Sequence, residues 1–341
     1  MFFTPRLLVL VLNRIYLGSL IMKMATCFLG CWLVALSHLA FAQTAGKADS
    51  PEPERLSCWV DLYRGEPIPF HAVLADLAGV RVVYMGERHG LARHHDFQKK
   101  VVEQLAKREV PLVLALEQME VMYQPQLDRY CKGEIDFDQL ADITDWKHRW
   151  GQYASYCEVL EAARKAGAPI LALNARRETI RLVARGGGVA KLDEATRKEL
   201  PEVIQLDDPD YEHLVMLRIA GHKFATPERL RPMFEAQIAR DEKMADVLAK
   251  YLQSETGKGR TAVVLCGSMH CNYGLGTVAR VRRRMPEIKD RIILMSESGD
   301  AKVSPTMKKM TRPVTVTHEQ LRQVNRPIAD YLHVISRKKS Q

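Results

Sequence analysis

Two distant segments of the chain share one pattern, in which an apolar run ends in glycine and a histidine follows within three residues. They are Val82-Val83-Tyr84-Met85-Gly86-Glu87-Arg88-His89 and Ala262-Val263-Val264-Leu265-Cys266-Gly267-Ser268-Met269-His270. A β-branched apolar run closed by glycine predicts a buried strand that enters a tight turn, where open α/β sheets place their ligands. If both strands belong to one sheet, Glu87, His89 and His270 converge at its carboxyl edge.

Strand-like and helix-like segments alternate along the rest of the chain. Strands are predicted at Val80–Met85, Pro111–Leu116, Pro169–Leu173, Arg260–Cys266, Arg291–Met295 and Ala329–Ile335, and helices at His94–Arg108, Tyr153–Ala166 and Met233–Leu252. This alternation predicts an α/β fold with a mainly parallel sheet and helices on both faces. The polar helical stretch of about residues 190–231 is longer than a strand crossover requires, so it is predicted to be a helical insertion.

The first 42 residues form a segment of their own. They carry three basic side chains and no acidic one, and they end in Ala-Phe-Ala after a long apolar stretch. This pattern predicts a signal peptide cleaved after Ala42, with a membrane anchor or a lipid on Cys31 as alternatives. Each interpretation exports the protein to the periplasm or cell envelope. The sequence predicts a flexible linker at residues 43–56, a folded domain at 57–337 and a basic tail at 338–341.

The charge and cysteine content limit the partners of this domain. Without residues 1–42 the chain has 47 basic and 41 acidic side chains, a net charge of +6. This small surplus is spread along the chain, which predicts no nucleic-acid partner. Five cysteines remain, and an odd number leaves at least one thiol unpaired in the monomer. No haem attachment motif of the Cys-x-x-Cys-His type is present, so covalent haem of that type is not expected.

Each predicted core strand is followed by polar side chains that can do chemistry. These predicted catalytic residues are Glu87, His89, Glu117, Asn174, Arg176 and His270. Imidazoles and carboxylates can hold a divalent metal with one position open for water, and Glu87, His89 and His270 are the predicted ligands. Without a metal, Glu and His can act as general acid and base, with Arg176 holding an anionic group. Both interpretations stay open at this point.

An aromatic segment lies between the second and third predicted strands. Trp146, Trp150, Tyr153 and Tyr156 recur at spacings of four, three and three residues, which predicts one aromatic face on a helix. This face either packs into the core or receives a flat apolar ligand, and a tyrosine phenolate can ligate haem iron. His95, in the histidine pair that opens the helix after the first motif, is a candidate for a further contact.

The order of these motifs resembles the ChaN family of haem-binding uptake lipoproteins. This family lies within the Tiki-like superfamily, which also includes erythromycin-esterase-like and TraB-like proteins. The resemblance covers about residues 65–335, and it is carried by Gly86-Glu87-x-His89, His95-Asp96-Phe97-Gln98, Ala115-Leu116-Glu117, Trp146, Tyr156-x-x-x-Leu160-x-x-Ala163-Arg164, Ala172-Leu173-Asn174-x-Arg176, Ala236-Gln237-x-x-x-Asp241-Glu242-x-Met244-Ala245 and Gly267-x-x-His270.

The resemblance implies an exported bacterial protein of α/β fold that takes part in haem or iron uptake. Haem would be held non-covalently by tyrosine in a pocket shared by two subunits, which implies a homodimer and contact with envelope uptake machinery. The residues expected at the haem are Tyr156, Tyr153, Trp146 and His95. In superfamily relatives the positions of Glu87, His89, Glu117 and His270 support hydrolysis, so a metal-dependent hydrolase is the alternative function. A third interpretation is a relict site on a partner-binding surface.

Overall fold

One sheet of eight strands organises the part of the chain that the structure describes. This computed structural model describes residues 57–219, 226–297, 305–311, 317–321 and 324–335. The predicted signal segment 1–42, linker 43–56 and basic tail 338–341 lie outside them. The strands are β1 (Ser57–Asp61), β2 (Glu66–Ile68), β3 (Val82–Glu87), β4 (Leu112–Glu120), β5 (Ile170–Asn174), β6 (Thr261–Gly267), β7 (Asp290–Met295) and β8 (Tyr331–Ile335).

The sheet is parallel except at one strand. Its order is β2-β1-β8-β7-β3-β6-β4-β5, and the six strands from β8 to β5 run parallel, whereas β1 is antiparallel to both of its neighbours. The predicted mainly parallel sheet is therefore confirmed, and each of the six predicted strands is present. The two predicted motif strands, β3 and β6, are direct neighbours, with Gly86 opposite Cys266 and Glu87 opposite Gly267.

Helices cover both faces of the sheet, as predicted. They are α1 (Phe70–Leu77), α2 (Ala92–Ala106), α3 (Gln124–Cys131), α4 (Phe137–Ile143), α5 (Trp146–Arg149), α6 (Cys157–Lys165), α7 (Arg177–Gly186), α8 (Glu194–Arg197), α9 (Pro209–Ile219), α10 (Pro227–Gln253), α11 (Thr277–Arg284), α12 (Pro305–Met310) and α13 (His318–Leu321). Among the described residues, no helix combines the length and the apolar character that crossing a membrane requires.

Alternate residues of β3 pack into two different apolar cores, one on each face of the sheet. Val83 and Met85 pack with the apolar sides of α1, α2, α3, α4 and α6, whereas Val82 and Tyr84 pack with α10 and α11. Successive side chains of a strand point to opposite faces, so a strand covered on both faces is apolar at every position. This is why the motif strands read as unbroken apolar runs in the sequence.

The stretch 190–231, for which a helical insertion is predicted, contains α8, α9 and the first residues of α10. Its side chains contribute to two small apolar clusters of their own. Leu200 packs with Val183 and Val189 near α7, and Tyr211 packs with Phe234 of α10. Helix α10 begins six residues before its predicted start, at Pro227, because proline is well tolerated in the first turn of a helix.

The aromatic segment does not form the single helical face that its spacing predicts. Helix α5 ends at Arg149, Trp150 has extended backbone angles, and residues 153–156 form a 3-10 turn before α6 begins at Cys157. Gly151 interrupts the segment, and glycine is among the poorest helix formers. The prediction of one continuous aromatic face is therefore wrong, and the four rings have different environments.

Candidate functional site

The polar residues at the strand ends meet at the carboxyl edge of the sheet. Glu87 is the last residue of β3, and His270 lies in the 3-10 turn Ser268–His270 that follows β6. Glu117 lies where the regular pairing of β4 with β6 ends and its register with β5 shifts. An irregularity of this kind re-aims side chains. The backbone N–H of Gly267 donates a 2.5 Å hydrogen bond to Glu117 Oε2, which ties β6 to β4 at the site.

Glu87 is a buried carboxylate surrounded by hydrogen-bond donors. The hydroxyl of Tyr156 donates to Oε1, Nδ1 of His89 lies 2.7 Å from the same oxygen, and Nε2 of Gln98 donates to Oε2 at 2.6 Å. A fourth donor, Nε2 of Gln118, lies 3.4 Å from Oε1. Burial alone would raise the pKa of Glu87, but His89 and the other donors outweigh it and lower the pKa below its usual value. Glu87 is therefore ionised at neutral pH.

His89 is the accessible member of the site. Its side chain is 37% exposed, and its ring meets the edge of Trp150 at a centroid distance of 4.9 Å. Burial alone would lower the pKa of His89, but the hydrogen bond to Glu87 and the charge of Glu117 raise it above its usual value. The approach of the ring depends on Gly267, because a Cβ there would lie 2.8 Å from His89 Nε2. The glycine that closes the second motif thus makes room for the histidine of the first.

His270 lies buried between two carboxylates. Its Nδ1 is 2.6 Å from Asp241 Oδ1, and its Nε2 is 3.2 Å from Glu117 Oε1. Burial alone would lower the pKa of His270, but Glu117 and Asp241 outweigh it and raise the pKa to about 10. His270 is therefore an imidazolium at neutral pH. Asp241 is held in turn by the hydroxyls of Tyr211 and Thr277, which donate at 2.6 and 2.7 Å.

These groups open onto a cavity of about 430 Å³. Its lining comprises Glu87, Arg88, His89, Glu117, Trp150, Arg218, Gln237, Arg240, Gly267, Ser268, Met269, His270 and Glu297. A smaller cavity of about 130 Å³ also includes Trp150 and Arg240 in its lining, together with Asn174. The amide of Asn174 donates to the backbone oxygen of Glu117 at 2.7 Å, so it supports the site rather than lining its main cavity.

Arg176 is a predicted catalytic residue that lines neither cavity. Its guanidinium pairs with Glu199 at 3.2 Å and with Glu178 at 3.3 Å, and its side chain is 49% exposed. The predicted role of Arg176 as the partner of an anionic group is therefore not supported. A different arginine, Arg240, belongs to the lining of both cavities.

The four predicted haem residues are not part of the lining of the larger cavity. Tyr156 and Trp146 are fully buried and their rings stack at 6.1 Å, and the indole N–H of Trp146 donates to the backbone oxygen of Gln118. His95 is buried against Tyr156, and Tyr153 stacks on Phe137 in the core. Burial, followed by the charge of Glu87, raises the pKa of the Tyr156 phenol well above its usual value. Tyr156 and His95, which lies 3.5 Å from Glu87 Oε2, thus hold Glu87 in place, and the Tyr156 hydroxyl stays protonated.

The predicted metal ligands Glu87, His89 and His270 are close together but are committed to one another and to neighbouring acids. Among the residues with described coordinates, no group of three or more His, Cys, Asp or Glu side chains has the arrangement of a metal site. Metal ligation needs a neutral imidazole, and both nitrogens of His270 already contact carboxylates. The arrangement thus suits proton transfer and ligand binding better than it suits a divalent metal. All five cysteines of the described domain are free thiols.

Sequence reasoning did not assign roles to Gln98, Gln118, Gln237, Arg240 and Asp241. Gln237 and Asp241 are four residues apart on α10, and both contact His270, with Gln237 Nε2 3.2 Å from its Nδ1. Residues four apart share one face of a helix. The spacing of four between Gln237 and Asp241 was the signal that could have identified this pair.

A family model described as "Haem-binding uptake, Tiki superfamily, ChaN" matches residues 73–281, more than half of the chain. The structure resembles that of ChaN of Campylobacter jejuni with cofacial haem, at a TM-score of 0.61 and 17% identity, covering 83% of this chain and 98% of the other. At this identity the likeness concerns the fold.

Two further solved structures show weaker similarity. One is a mutant of the erythromycin esterase EreC in its open conformation, at a TM-score of 0.41 and 11% identity over 70% of this chain and 76% of that one. The other is the C-terminal region of Pasteurella multocida toxin, at 0.41 and 12% over 75% and 29%. A sequence comparison with characterised proteins finds no match. On the family match, this chain belongs to the ChaN family of haem-binding uptake proteins, within the Tiki superfamily.

Proposed function

We propose that this protein binds haem non-covalently at the carboxyl edge of its sheet and serves haem or iron uptake in the cell envelope. The observation that carries the proposal is the family match, which spans all of the site residues from Glu87 to His270. The similarity to the Campylobacter jejuni protein supports a fold of the same kind over nearly the whole length of that chain. Export, a homodimeric state and contact with uptake machinery are parts of the same proposal.

His89 is the residue that we propose as the iron ligand. A histidine that ligates a metal donates its second ring N–H to a carboxylate or carbonyl, which orients the ring and raises its basicity. In this site Nδ1 of His89 is engaged by Glu87 at 2.7 Å, whereas Nε2 lies 3.9 Å from Glu117 Oε1, beyond hydrogen-bond distance, so Nε2 is the nitrogen that a ligand would meet. His89 is also the partly exposed residue of the pair of site histidines, since His270 is buried. Haem bound here would supply redox-active iron, and His89 would be the residue that holds it.

The first test is a titration of the full chain with hemin, followed through the Soret band. We expect saturable binding by the wild type, and affinity at least tenfold lower for His89→Ala, about 1.4 kcal/mol. His71→Ala is the matched control, because His71 is an exposed residue of α1 outside the site. Equal titration curves for wild type and His89→Ala would exclude His89 as the ligand, and a wild type without saturable binding would refute haem binding.

Acid/base hydrolysis is a second candidate function. It is favoured by one feature of the cavity. The partly exposed His89 and the buried imidazolium of His270 line it together, and Glu87 and Asp241 orient the two rings by hydrogen bonds. A neutral His89 would act as general base, and His270 would stabilise negative charge on the substrate.

The hydrolase hypothesis predicts turnover of activated esters that survives a chelator and disappears in His89→Ala. A panel of nitrophenyl esters provides the readout, with His71→Ala as control. Turnover that is equal in wild type and His89→Ala would rule the hypothesis out.

A further inference from the structure

Arg240 is a cation without an acidic partner in the described part of the chain. No carboxylate of the described residues lies within ion-pair distance of its guanidinium, and its buried Nε has no hydrogen-bond partner. Other arginines near α10 behave differently. Arg283 and Arg284 both pair with Glu242 at 2.7 Å, and Arg282 pairs with Asp290 at 2.6 Å. Arg240 therefore differs from these neighbouring arginines in having no carboxylate partner among the described residues.

Arg240 lines two adjoining cavities, where its charge can meet a ligand. It belongs to the lining of both the 430 Å³ cavity and the adjoining 130 Å³ cavity, as Trp150 does. Glu117 also lines the larger cavity, and the charge of Arg240 contributes to lowering its pKa. The oxygens of Glu117 are already engaged by His270 and by the N–H of Gly267. Glu120, on the other side, is bonded to Arg149 at 2.7 Å.

Arg218 adds a second positive charge to the larger cavity. Its Nε donates to the sulfur of Met269 at 3.3 Å, and it forms no ion pair with any described residue. Of the other positively charged side chains in the lining, Arg88 pairs with Glu297 and His270 pairs with Glu117. The two lining arginines that pair with no carboxylate of the described residues are therefore Arg218 and Arg240.

We propose that Arg240, assisted by Arg218, binds a carboxylate group of the ligand that occupies this cavity. Guanidinium is the side chain best suited to carboxylate, because its planar fork gives two parallel hydrogen bonds. A half-buried cation without a partner lowers the stability of the ligand-free protein, and a bound carboxylate removes that cost. The ligand identity rests on the proposed function, in which the carboxylate is a propionate of haem. Arg240 thereby takes the role that the sequence assigned to Arg176.

The test compares hemin with hemin dimethyl ester, in which both propionates are methylated, on the full chain. We expect the wild type to prefer hemin by about tenfold or more. Arg240→Gln should lose most of this preference by binding hemin more weakly while its affinity for the ester stays the same. Arg240→Lys should keep part of the preference. The Soret maximum of each complex should not move, because His89 is intact in every variant.

Arg129→Gln is the matched control, because Arg129 is a half-exposed arginine of α3 outside both cavities. Thermal unfolding of ligand-free Arg240→Gln should occur at or above the wild-type temperature, whereas a structural arginine would lower it. Equal wild-type affinity for hemin and its ester, or an equal loss of both in Arg240→Gln, overturns the proposal and leaves haem binding standing. Absence of saturable binding of either compound overturns both proposals.

Discussion

Replacing His270 by alanine is expected to lower the free energy of unfolding by about 3–5 kcal/mol, because it leaves two buried carboxylates without their shared cation. Asp241 keeps its bonds from Tyr211 and Thr277 but no ion-pair partner among the described residues, and Glu117 keeps the N–H of Gly267 and only the longer 3.9 Å contact with His89. Urea unfolding at neutral pH measures the difference. His71→Ala should change stability by less than about 0.5 kcal/mol.

The pH dependence of the same pair provides an independent measurement. The pKa of His270 is raised from 6.5 to about 10 in the folded protein. The stability that this group contributes is therefore complete below pH 6.5 and is lost as pH rises through about 10. The difference in stability between wild type and His270→Ala should shrink over that interval. A difference below about 1 kcal/mol at pH 7, or one that does not depend on pH, would contradict the assignment of His270 as a buried imidazolium.

Replacing Glu87 by glutamine is expected to cost about 3 kcal/mol, although the side chain keeps its size. The carboxylate accepts from Tyr156 and His89 on one oxygen and from Gln98 on the other. Glutamine replaces one of these oxygens with an NH₂ group, which is itself a donor and would point at the donors around it. The substitution also removes the negative charge. A buried donor without an acceptor costs about 1–3 kcal/mol, and losing a charged acceptor adds to it. Urea unfolding measures the effect.

Glu158→Gln is the control for Glu87→Gln, since Glu158 is an exposed carboxylate paired with Lys99 and such pairs contribute about 0–1 kcal/mol. The pKa of Glu87 is lowered on folding, so its stabilisation is present above its unfolded pKa, near 4.5, and is lost as pH falls through the folded value. The cost of Glu87→Gln should therefore diminish in acid. A cost as small as that of Glu158→Gln would show that the donors around Glu87 reorganise freely.

The strand ends could be predicted from the sequence because burial and backbone geometry decide them locally. Val82–Met85 and Ala262–Cys266 are apolar at every position, which only a strand covered on both faces requires, and each ends at a glycine that a neighbouring side chain approaches closely. The edge strand β2 and its neighbour β1 were not predicted, since they are short and partly exposed.

The direction of long side chains was less predictable. Arg176 follows a core strand, yet its flexible side chain turns outward to Glu199. Tyr156 points at Glu87 because a 3-10 turn, rather than a helix, carries it. Asp241 comes from the middle of a long helix, where strand-end reasoning does not reach. Nothing in the local pattern around any of these three residues determines its partner, which is far away in the sequence.

The hydrogen bond from Gly267 to Glu117 joins residues 150 positions apart, and the bond from Tyr156 to Glu87 joins residues 69 apart. The strands that carry Glu87 and Glu117 are β3 and β4. In the sheet they are separated by β6, which is the last of the three in the sequence. No fragment that ends before β6 can therefore assemble the site, and a nascent chain acquires it only when its central strand is inserted between two already synthesised neighbours. The carboxyl edge that carries the site is consequently complete only once the last of these three strands is in place, while β7 and β8 are still to follow.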